Sequence, residues 1–334
     1  MVKLLLLISI LVSFLASLTT IPFWIRKAKQ IKLEWKDMNK LGSKKIPGAG
    51  GVTVVFGFIL GVLFYIAINT FYFKSIDNIV EILALTTSIL IVSGIGIIDD
   101  LLGWQHGGLS KKNRLIILFF AAVPLMVINA GVHTVSIPFI YQFDIGLLYP
   151  LIVIPIGIVG ATATFNFLAG YNGLEAGQGI LILSSLAIFS WLNGTNWLSL
   201  IIICMVVSLM AFMFYNKYPS KIFPGDVLTY PIGCLIAIIA ILGNMELFTV
   251  FIFIPYIIEA GLKLRGKLEK QSFGIPEKDG SIKMPYEKIY GLEHLAIFLI
   301  KKFKKNGKAY EIEVTLAIYL FQASIILIGF LLLT

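Results

Sequence analysis

Ten long apolar runs dominate this sequence. They cover approximately residues 4–25, 50–73, 79–98, 113–131, 146–167, 178–192, 196–215, 227–243, 246–263 and 312–333. One helical crossing of a bilayer needs about 17–25 such residues. The charged fraction of 13% is about half that of a soluble domain. The sequence therefore predicts an all-α polytopic membrane protein, one integral-membrane domain over residues 1–334 with ten transmembrane helices.

The positions of the basic residues predict how these helices are threaded. Residues 26–48 hold eight Lys and Arg, 99–114 three, 168–178 none, 216–226 two and 263–311 twelve, and of the 27 in total only Lys3 and Lys74 fall elsewhere. Basic loops stay in the cytoplasm. The loops near 26–48, 99–114, 168–178, 216–226 and 264–311 are therefore expected on the cytoplasmic face, with both termini outside. Basic residues directly after the first run favour a retained span over a cleaved signal.

Other features of the composition narrow the kind of site to expect. Cys204 and Cys234 both lie in apolar runs, so neither a disulfide framework nor a thiolate zinc site is expected. The three histidines are isolated in the sequence and are interpreted as structural. The net charge of +9 follows from the basic loops, so no nucleic-acid partner is expected. Residues 290–303 have the pattern of an amphipathic helix at the membrane interface.

Carboxylates stand where two of the apolar runs meet the predicted cytoplasmic face. Asp99 and Asp100 follow the third run, where adjacent carboxylates at a helix C-terminus require a cation. Asp226 follows Phe-Pro-Gly at the start of the eighth run, where simple capping of the helix is the alternative. Parity places all three residues on one face of the membrane, which indicates a shared site.

A glycine-rich segment, residues 166–178, leaves the fifth run on the same face. Its glycines allow backbone amides to approach a ligand closely, and its Asn and Glu side chains can bind a base or a sugar. An ordinary Asn-Gly turn explains Asn172 and Gly173, but it does not explain Asn166, Glu175 and Gln178 together. Oxygen ligands of the Asn and Asp type favour Mg²⁺ or Mn²⁺. Lys44, Lys45, Lys111, Lys112 and Arg114 add a basic surface suited to phosphates.

These motifs resemble those of the polyprenyl-phosphate N-acetylhexosamine-1-phosphate transferase family, and most closely its dolichyl-phosphate N-acetylglucosamine-1-phosphate branch. Asp37-Met38-Asn39-Lys40 looks like that branch's first-loop motif, and Asp99-Asp100 looks like its aspartate pair. Residues 166–178 are nearly its signature, and Gly225-Asp226 looks like its third aspartate motif. The likeness runs from about residue 20 to residue 300.

The resemblance implies an enzyme of the cell membrane with a cytoplasmic active site. It would transfer N-acetylglucosamine 1-phosphate from UDP-N-acetylglucosamine to dolichyl phosphate and release UMP, the first step of lipid-linked oligosaccharide synthesis for protein N-glycosylation. A homodimer is the family's expected assembly. The close alternative is a transferase of another UDP-N-acetylhexosamine to undecaprenyl phosphate for surface polysaccharide.

The resemblance also implies roles for particular residues. Asn166 and Asp226 would hold Mg²⁺, or Mn²⁺ in its place. Asp99 and Asp100 would deprotonate or orient the attacking lipid phosphate, and Lys112 would contact the pyrophosphate. The expected substrate-binding residues are Met38, Gly170, Asn172, Gly173, Glu175, Arg265 and Lys270. The His/Arg-Pro-Arg type motif that the family carries in its last cytoplasmic loop has no clean counterpart here.

Two function classes outside this family compete for the same carboxylates. A cation-coupled transporter could use Asp99, Asp100 and Asp226 as a relay, but transporters often show inverted repeats and charges near the midplane. The sequence shows neither feature. An intramembrane aspartyl protease also uses two aspartates, one of them after Gly-x-Gly, whereas Asp226 follows Phe-Pro-Gly. Both classes are weaker explanations than the transferase.

Overall fold

The computed structural model describes residues 4–42, 44–106, 108–136 and 142–333, which are mainly helical. Their α-helices are α1 Leu7–Gln30, α2 Gly51–Ala67, α3 Ile79–His106, α4 Lys111–Phe119, α5 Val123–Val127, α6 Ile154–Phe165, α7 Leu174–Leu192, α8 Asn196–Asn216, α9 Asp226–Leu242, α10 Glu246–Ile252, α11 Ile254–Arg265, α12 Leu292–Phe303 and α13 Glu311–Leu333. Shorter 3₁₀ turns lie at Leu4–Leu6 and Phe120–Ala122, and π turns at Ile68–Phe73 and Tyr149–Val153. Lys3 lies outside the described residues.

All ten predicted apolar runs are helical over most of their length. Six helices of the described chain are long and apolar enough to cross a membrane: Leu4–Gln30, Gly51–Phe73, Ile79–Gly103, Leu174–Leu192, Asn196–Asn216 and Glu311–Leu333. Counting α10 and α11 as one bent span gives seven. Tyr149–Phe165 and Asp226–Leu242 are apolar but shorter. The all-α, multi-span fold is confirmed, while the count of ten and the position of the termini stay predictions.

The prediction that the third helix ends at Asp99 and Asp100 is wrong. α3 continues to His106, because Leu101 and Leu102 still favour a helix. The two aspartates therefore lie inside the helix rather than at its C-terminus, and their partners come from neighbouring segments.

The ninth predicted span is also interrupted. α10 and α11 meet at an angle of 57°. Pro255 lies in the first turn of α11, where its missing N–H prevents an unbroken helix through this point.

α9 is the central helix of the bundle. Every residue from Val227 to Ile241 is buried, as expected for a helix surrounded by other helices. It packs mainly against α3 and α6. α1 and α2 pack together through small residues, with Ser13 and Ser17 of α1 facing Gly57 and Gly61 of α2, a common form of close helix packing in membranes.

Short antiparallel strands connect the helices. They are β1 Glu34–Lys36, β2 Lys45–Pro47, β3 Thr134–Ser136, β4 Gln142–Asp144, β5 Ile275–Pro276, β6 Ser281–Lys283 and β7 Ala309–Tyr310. β1 pairs with β2, β3 with β4, and β6 lies between β5 and β7. The pairing of Trp35 with Ile46 closes the first loop, and the pairing of Ile282 with Ala309 joins the two ends of the last loop.

The predicted basic loops meet at one end of the bundle. The Asn39 side chain donates to the Gly170 carbonyl at 2.8 Å and accepts from the Gly274 N–H at 3.0 Å, which joins the first, third and fifth loops. The Phe223 carbonyl accepts from the Gly50 N–H at 2.9 Å, which adds the fourth. α12 lies at this end, burying Leu292 and Ile297. It is helical as predicted and exposes Phe298, Leu299 and Phe303, while its position at the membrane interface stays a prediction.

Candidate active site

An ion pair between Asp99 and Arg114 lies at the polar end of the bundle. The Arg114 Nη2 atom is 2.7 Å from Asp99 Oδ2. The Tyr230 hydroxyl lies 2.8 Å from the same oxygen and 3.0 Å from Asp226 Oδ2, with one hydrogen to donate to either, and the Leu109 N–H donates to Oδ1 at 2.7 Å. The Asp99 side chain is only 2% exposed. These contacts tie α3, α4 and α9 together, and they hold the guanidinium near Asp226, 3.7 Å away.

Asp100 caps α9. Its carboxylate accepts the backbone N–H groups of Asp226 at 2.8 Å and Val227 at 3.2 Å, which are donors that a helix N-terminus leaves unpaired. Gly225 precedes the helix with φ +75°, and a Cβ there would lie 2.3 Å from Asp100 Oδ2. Only glycine allows this approach. The alternative that Asp226 itself caps the helix is not observed, because Asp226 is the first residue inside it.

Two side chains with oxygen atoms suited to a metal lie at the end of α6 and at the start of α9. Asn166 directly follows α6, and its Oδ1 accepts the Thr229 hydroxyl at 3.1 Å. Asp226 begins α9, and its Oδ2 lies 3.0 Å from the Tyr230 hydroxyl. The Asp226 side chain is 23% exposed. These donors fit Mg²⁺, which binds one or two protein oxygens and completes its shell with water and phosphate.

The described residues contain no group of three or more His, Cys, Asp or Glu arranged to hold a metal. A metal at this site would therefore depend on the amide oxygen of Asn166 and on oxygens of a substrate. That donor set is all oxygen, and such a set favours Mg²⁺ or Mn²⁺ over zinc.

A cavity of about 560 Å³ opens among these groups, within the usual size of small-molecule sites. Seven of the predicted site residues line it: Met38, Asp100, Asn166, Gly170, Glu175, Asp226 and Lys270. Its walls do not include Asp99, Lys112, Asn172, Gly173 or Arg265. The structure therefore brings most of the predicted residues to one space and places the others around it.

Asn172 joins loops instead of facing the cavity. Its backbone N–H donates to Glu311 Oε1 at 2.8 Å, and its side-chain amide donates to Glu311 and Asp37. Its Oδ1 accepts the Ser220 N–H and the Lys40 ammonium. Asn172 is 5% exposed, and its side-chain groups are used in holding the signature segment against the first, fourth and last loops.

Gly170 brings the signature segment against the last loop. Its φ is +102°, and a Cβ there would lie 2.6 Å from the Phe273 ring. Its N–H donates to Glu175 Oε1 at 2.8 Å. Glu175 Oε2 has no hydrogen-bond partner among the described residues, although Glu175 lines the cavity. Gly173 has φ +84° and precedes α7, and its carbonyl accepts the Tyr319 hydroxyl at 2.6 Å.

The basic residues are arranged differently from the sequence expectation. The side chain of Lys112 is exposed, whereas Arg114, two positions later, lines the cavity. Arg265 is exposed and lies over the Tyr290 ring at 5.8 Å. Lys270 lines the cavity and lies over the Tyr286 ring at 5.0 Å. Lys263, which was not predicted, also lines the cavity although it is 6% exposed.

Three residues of the site were missed by sequence reasoning. Tyr230 lies four positions after Asp226 in α9, a spacing that places both on one helix face. That signal could have been found. Glu311 begins α13 beyond the recognised motifs, and Lys263 is one of many basic residues in the last loop region. Neither position has a distinctive local pattern.

Comparisons with known proteins identify relatives of this chain. The model of glycosyl transferase family 4 matches residues 82–244. A protein of Saccharolobus solfataricus, provisionally named a UDP-N-acetylglucosamine–dolichyl-phosphate N-acetylglucosaminephosphotransferase, is 34% identical over 330 residues, covering 98% of this chain and 97% of that protein. The enzyme of that name from Dictyostelium discoideum is 31% identical over 289 residues, 74% of this chain and 69% of its own.

A bacterial relative shows the other branch. A Bacillus subtilis protein, provisionally named an undecaprenyl-phosphate N-acetylglucosaminyl 1-phosphate transferase, is 28% identical over 286 residues, 81% of this chain and 75% of its own. The family match includes Asp99, Asp100, Asn166 and Asp226, which the fold brings to one end of the bundle. With similarity to the Saccharolobus protein over nearly its whole length, the chain belongs to glycosyl transferase family 4.

Proposed function

We propose that this chain transfers N-acetylglucosamine 1-phosphate from UDP-N-acetylglucosamine to dolichyl phosphate and releases UMP. The observation that carries the proposal is the single cavity lined by Arg114, Asn166, Gly170 and Asp226. The names of the Saccharolobus and Dictyostelium relatives support the same donor and acceptor. The product would begin a lipid-linked oligosaccharide for protein N-glycosylation.

The bond changes in this reaction are simple. An oxygen of the lipid phosphate bonds to the β-phosphorus of the donor. The bond from that phosphorus to the bridging oxygen breaks, and UMP leaves with that oxygen and the electron pair. Such transfers depend mostly on positioning and on neutralising charge. A phosphate monoester is already largely ionised near neutral pH, because its second pKa is about 6, so a protein base has little to contribute.

Arg114 is the side chain best placed to meet this charge. Asp99 fixes its guanidinium, which also lies 5.7 Å from the centre of the Tyr230 ring. The Arg114 side chain is 28% exposed, so it remains open to the cavity that it lines. A guanidinium offers several N–H donors in a geometry that matches phosphate. Arg114 therefore takes the role expected of Lys112.

Asn166 and Asp226 would hold Mg²⁺, or Mn²⁺ in its place. A divalent ion held there would supply charge neutralisation at the diphosphate. Thr229 orients Asn166 by donating a hydroxyl hydrogen bond, and the Tyr230 hydroxyl lies between the carboxylates of Asp99 and Asp226. We assign Asp99 and Asp100 to positioning, since protein donors already occupy their oxygens. Asp99 then orients Arg114, and Asp100 fixes the turn that carries Asp226.

The topology belongs to the same proposal. The proposal has ten crossings, in which α10 and α11 form one bent span and α4 and α5 form another. With ten crossings, every loop that follows an odd-numbered span lies at the cavity end. The many basic residues of the loops at this end support a cytoplasmic site in the cell membrane and external termini. A homodimer remains an expectation of the family resemblance.

The test is UMP release by purified protein supplied with UDP-N-acetylglucosamine, dolichyl phosphate and Mg²⁺, with and without EDTA. Lipid-dependent release that EDTA stops is the expected result. Undecaprenyl phosphate and other UDP-N-acetylhexosamines are supplied in parallel. A strong preference for them would favour the activity named for the Bacillus relative. Absence of UMP with every donor and acceptor would contradict the proposal.

A further inference from the structure

Lys263 is a buried lysine in the wall of the cavity. It lies in the last turn of α11 and is 6% exposed. Three other basic residues line the cavity: Lys36 and Lys270 are exposed, and Arg114 is half-buried. Burying an ammonium group is costly unless it is paired and hydrogen-bonded. A buried ionisable residue at the end of a membrane helix is by default a candidate for function.

Lys263 contacts Glu259 and Ser272 and also lines the cavity. Its Nζ atom is 3.3 Å from Glu259 Oε1 and donates a hydrogen bond to Ser272 Oγ. An ammonium group has three N–H donors. The bond to Ser272 uses one of them and the Glu259 carboxylate balances the charge, while Lys263 and Ser272 both line the cavity.

Three titratable residues lie near Lys263: Glu259 is its ion-pair partner, and burial favours the neutral forms of Glu293 and His294. Glu259 is fixed by the Leu292 N–H, which donates to its Oε2 at 2.6 Å. Burial and the nearby charge of Glu259 raise the pKa of Glu293 well above its usual value. Burial and the Lys263 charge lower the pKa of His294 to about 4, so the imidazole is neutral near pH 7.

The last loop contacts the signature segment close to Lys263. The backbone of Ser272 accepts the Tyr171 hydroxyl at 3.4 Å, and Phe273 packs against Gly170. Lys263 therefore stands where the last loop meets the signature segment. Arg265, the basic residue predicted for substrate binding, lies instead over Tyr290 and does not line the cavity. Of the basic residues near this junction, Lys270 is exposed and lies over Tyr286, whereas Lys263 is buried in the cavity wall.

We infer that Lys263 is a donor-binding residue that contacts the diphosphate of the UDP-sugar and so distinguishes phosphorylated uridine ligands from uridine. The inference rests on the proposed function. Arg114 and Lys263 would bind the diphosphate from two parts of one cavity wall, with Lys263 as the buried cation where the last loop begins.

The competing explanation is that Lys263 only supports the loop through Ser272. The two explanations differ in their effect on a neutral ligand. Inhibition constants for uridine, UMP and UDP against UDP-N-acetylglucosamine turnover are measured for the wild type, Lys263→Met and Lys263→Arg. Lys288→Met is the matched control, since Lys288 is an exposed lysine of the same loop.

Lys263→Met is expected to weaken UDP by about 10- to 100-fold, the usual effect of losing a hydrogen bond to a charged group, and to change uridine less than about twofold. Lys263→Arg should recover part of the UDP affinity, and Lys288→Met should match the wild type.

Equal weakening of uridine and UDP would overturn the inference in favour of a structural support, and unchanged UDP affinity would also overturn it. Failure of the proposed function is distinct, because the wild type would then release no UMP.

Discussion

The Asp100 carboxylate accepts the backbone N–H of Asp226 at 2.8 Å, so one aspartate of the site caps the helix that begins with another. The contact joins α3 to α9 at the wall of the cavity. It also accounts for glycine at position 225, where a Cβ would collide with Asp100. The stability of the helix and the position of the candidate metal ligand thus depend on the same carboxylate.

Removing this cap should affect both properties. Asp100→Ala is expected to lower the free energy of unfolding by about 1–2 kcal/mol, the usual cost of losing a helix cap, and to reduce UMP release because Asp226 loses its fixed position. Asp100→Asn keeps one acceptor oxygen and should lose less stability. Thermal unfolding in detergent and UMP release measure the two effects. Unchanged stability in Asp100→Ala would show that the cap contributes nothing.

Arg114 should matter more than Lys112. Asp99 holds the Arg114 guanidinium at the cavity, whereas the side chain of Lys112 is exposed. Arg114→Met is expected to lower kcat/KM by about 100-fold, the scale seen when one preorganised donor to transition-state charge is lost. The loss in Lys112→Met should be much smaller. Steady-state kinetics of both variants decides between them, and a larger loss in Lys112→Met would restore the role first predicted from the sequence.

Much of the site could be predicted because its residues lie in compact motifs. Asn166, Gly170, Glu175 and Asp226 all line the cavity, and their motifs stand out in an otherwise apolar chain. The all-α fold followed from the length of the apolar runs. The end of α3 is predicted wrongly, because a carboxylate pair looks like the end of a span. Leu101 and Leu102 continue the helix beyond Asp99.

The remaining differences arise from tertiary contacts. Arg114 and Lys112 share one helix, and only the packing of α4 against its neighbours decides which of them meets Asp99. Asn172 looks like a ligand-binding residue in sequence, but its partner Glu311 lies far along the chain in α13. A local pattern cannot reveal a partner at that separation, and nothing near Glu311 marks it as part of the site.

Asp226 should be required for turnover and for metal binding. Asp226→Ala removes a proposed oxygen ligand, so UMP release should fall to background and Mn²⁺ binding, followed by electron paramagnetic resonance, should be lost. The fold should persist, because Asp100 still caps the backbone N–H at this position. Asp77→Ala, at an exposed residue between α2 and α3, is the control. Normal turnover in Asp226→Ala would remove this residue from the metal site.

Glu311 should position the signature segment. Its Oε1 accepts the Asn172 N–H at 2.8 Å, and its Oε2 is 3.6 Å from the Lys40 ammonium. Glu311→Ala is expected to raise the KM for UDP-N-acetylglucosamine by about tenfold, since a charged hydrogen-bond acceptor is lost. Glu311→Gln keeps an acceptor oxygen and should be closer to the wild type.

The matched control for Glu311 is Glu313→Ala. Glu313 lies in the same turn of α13 but pairs with Lys304, away from Asn172. Its KM should stay within about twofold of the wild type. A similar rise in KM for both alanine variants would mean that the start of α13 acts through general stability and not through Asn172.

The buried carboxyl of Glu293 should make stability depend on pH. Its pKa is raised well above 4.5 by burial and by Glu259, so the folded protein keeps a proton that the unfolded chain releases once the pH exceeds that value. The stability from this group is complete below about pH 4.5 and falls as the pH rises through the higher folded pKa.

Glu293→Gln cannot lose a proton. The Tm of Glu293→Gln minus that of the wild type should therefore increase as the pH rises from 4.5. The opposite effect of His294, whose pKa is lowered to about 4, is present in both proteins and cancels in this difference. Thermal unfolding across the pH range measures it, and a difference that stays constant would show that Glu293 is ionised in the folded protein as readily as in the unfolded chain.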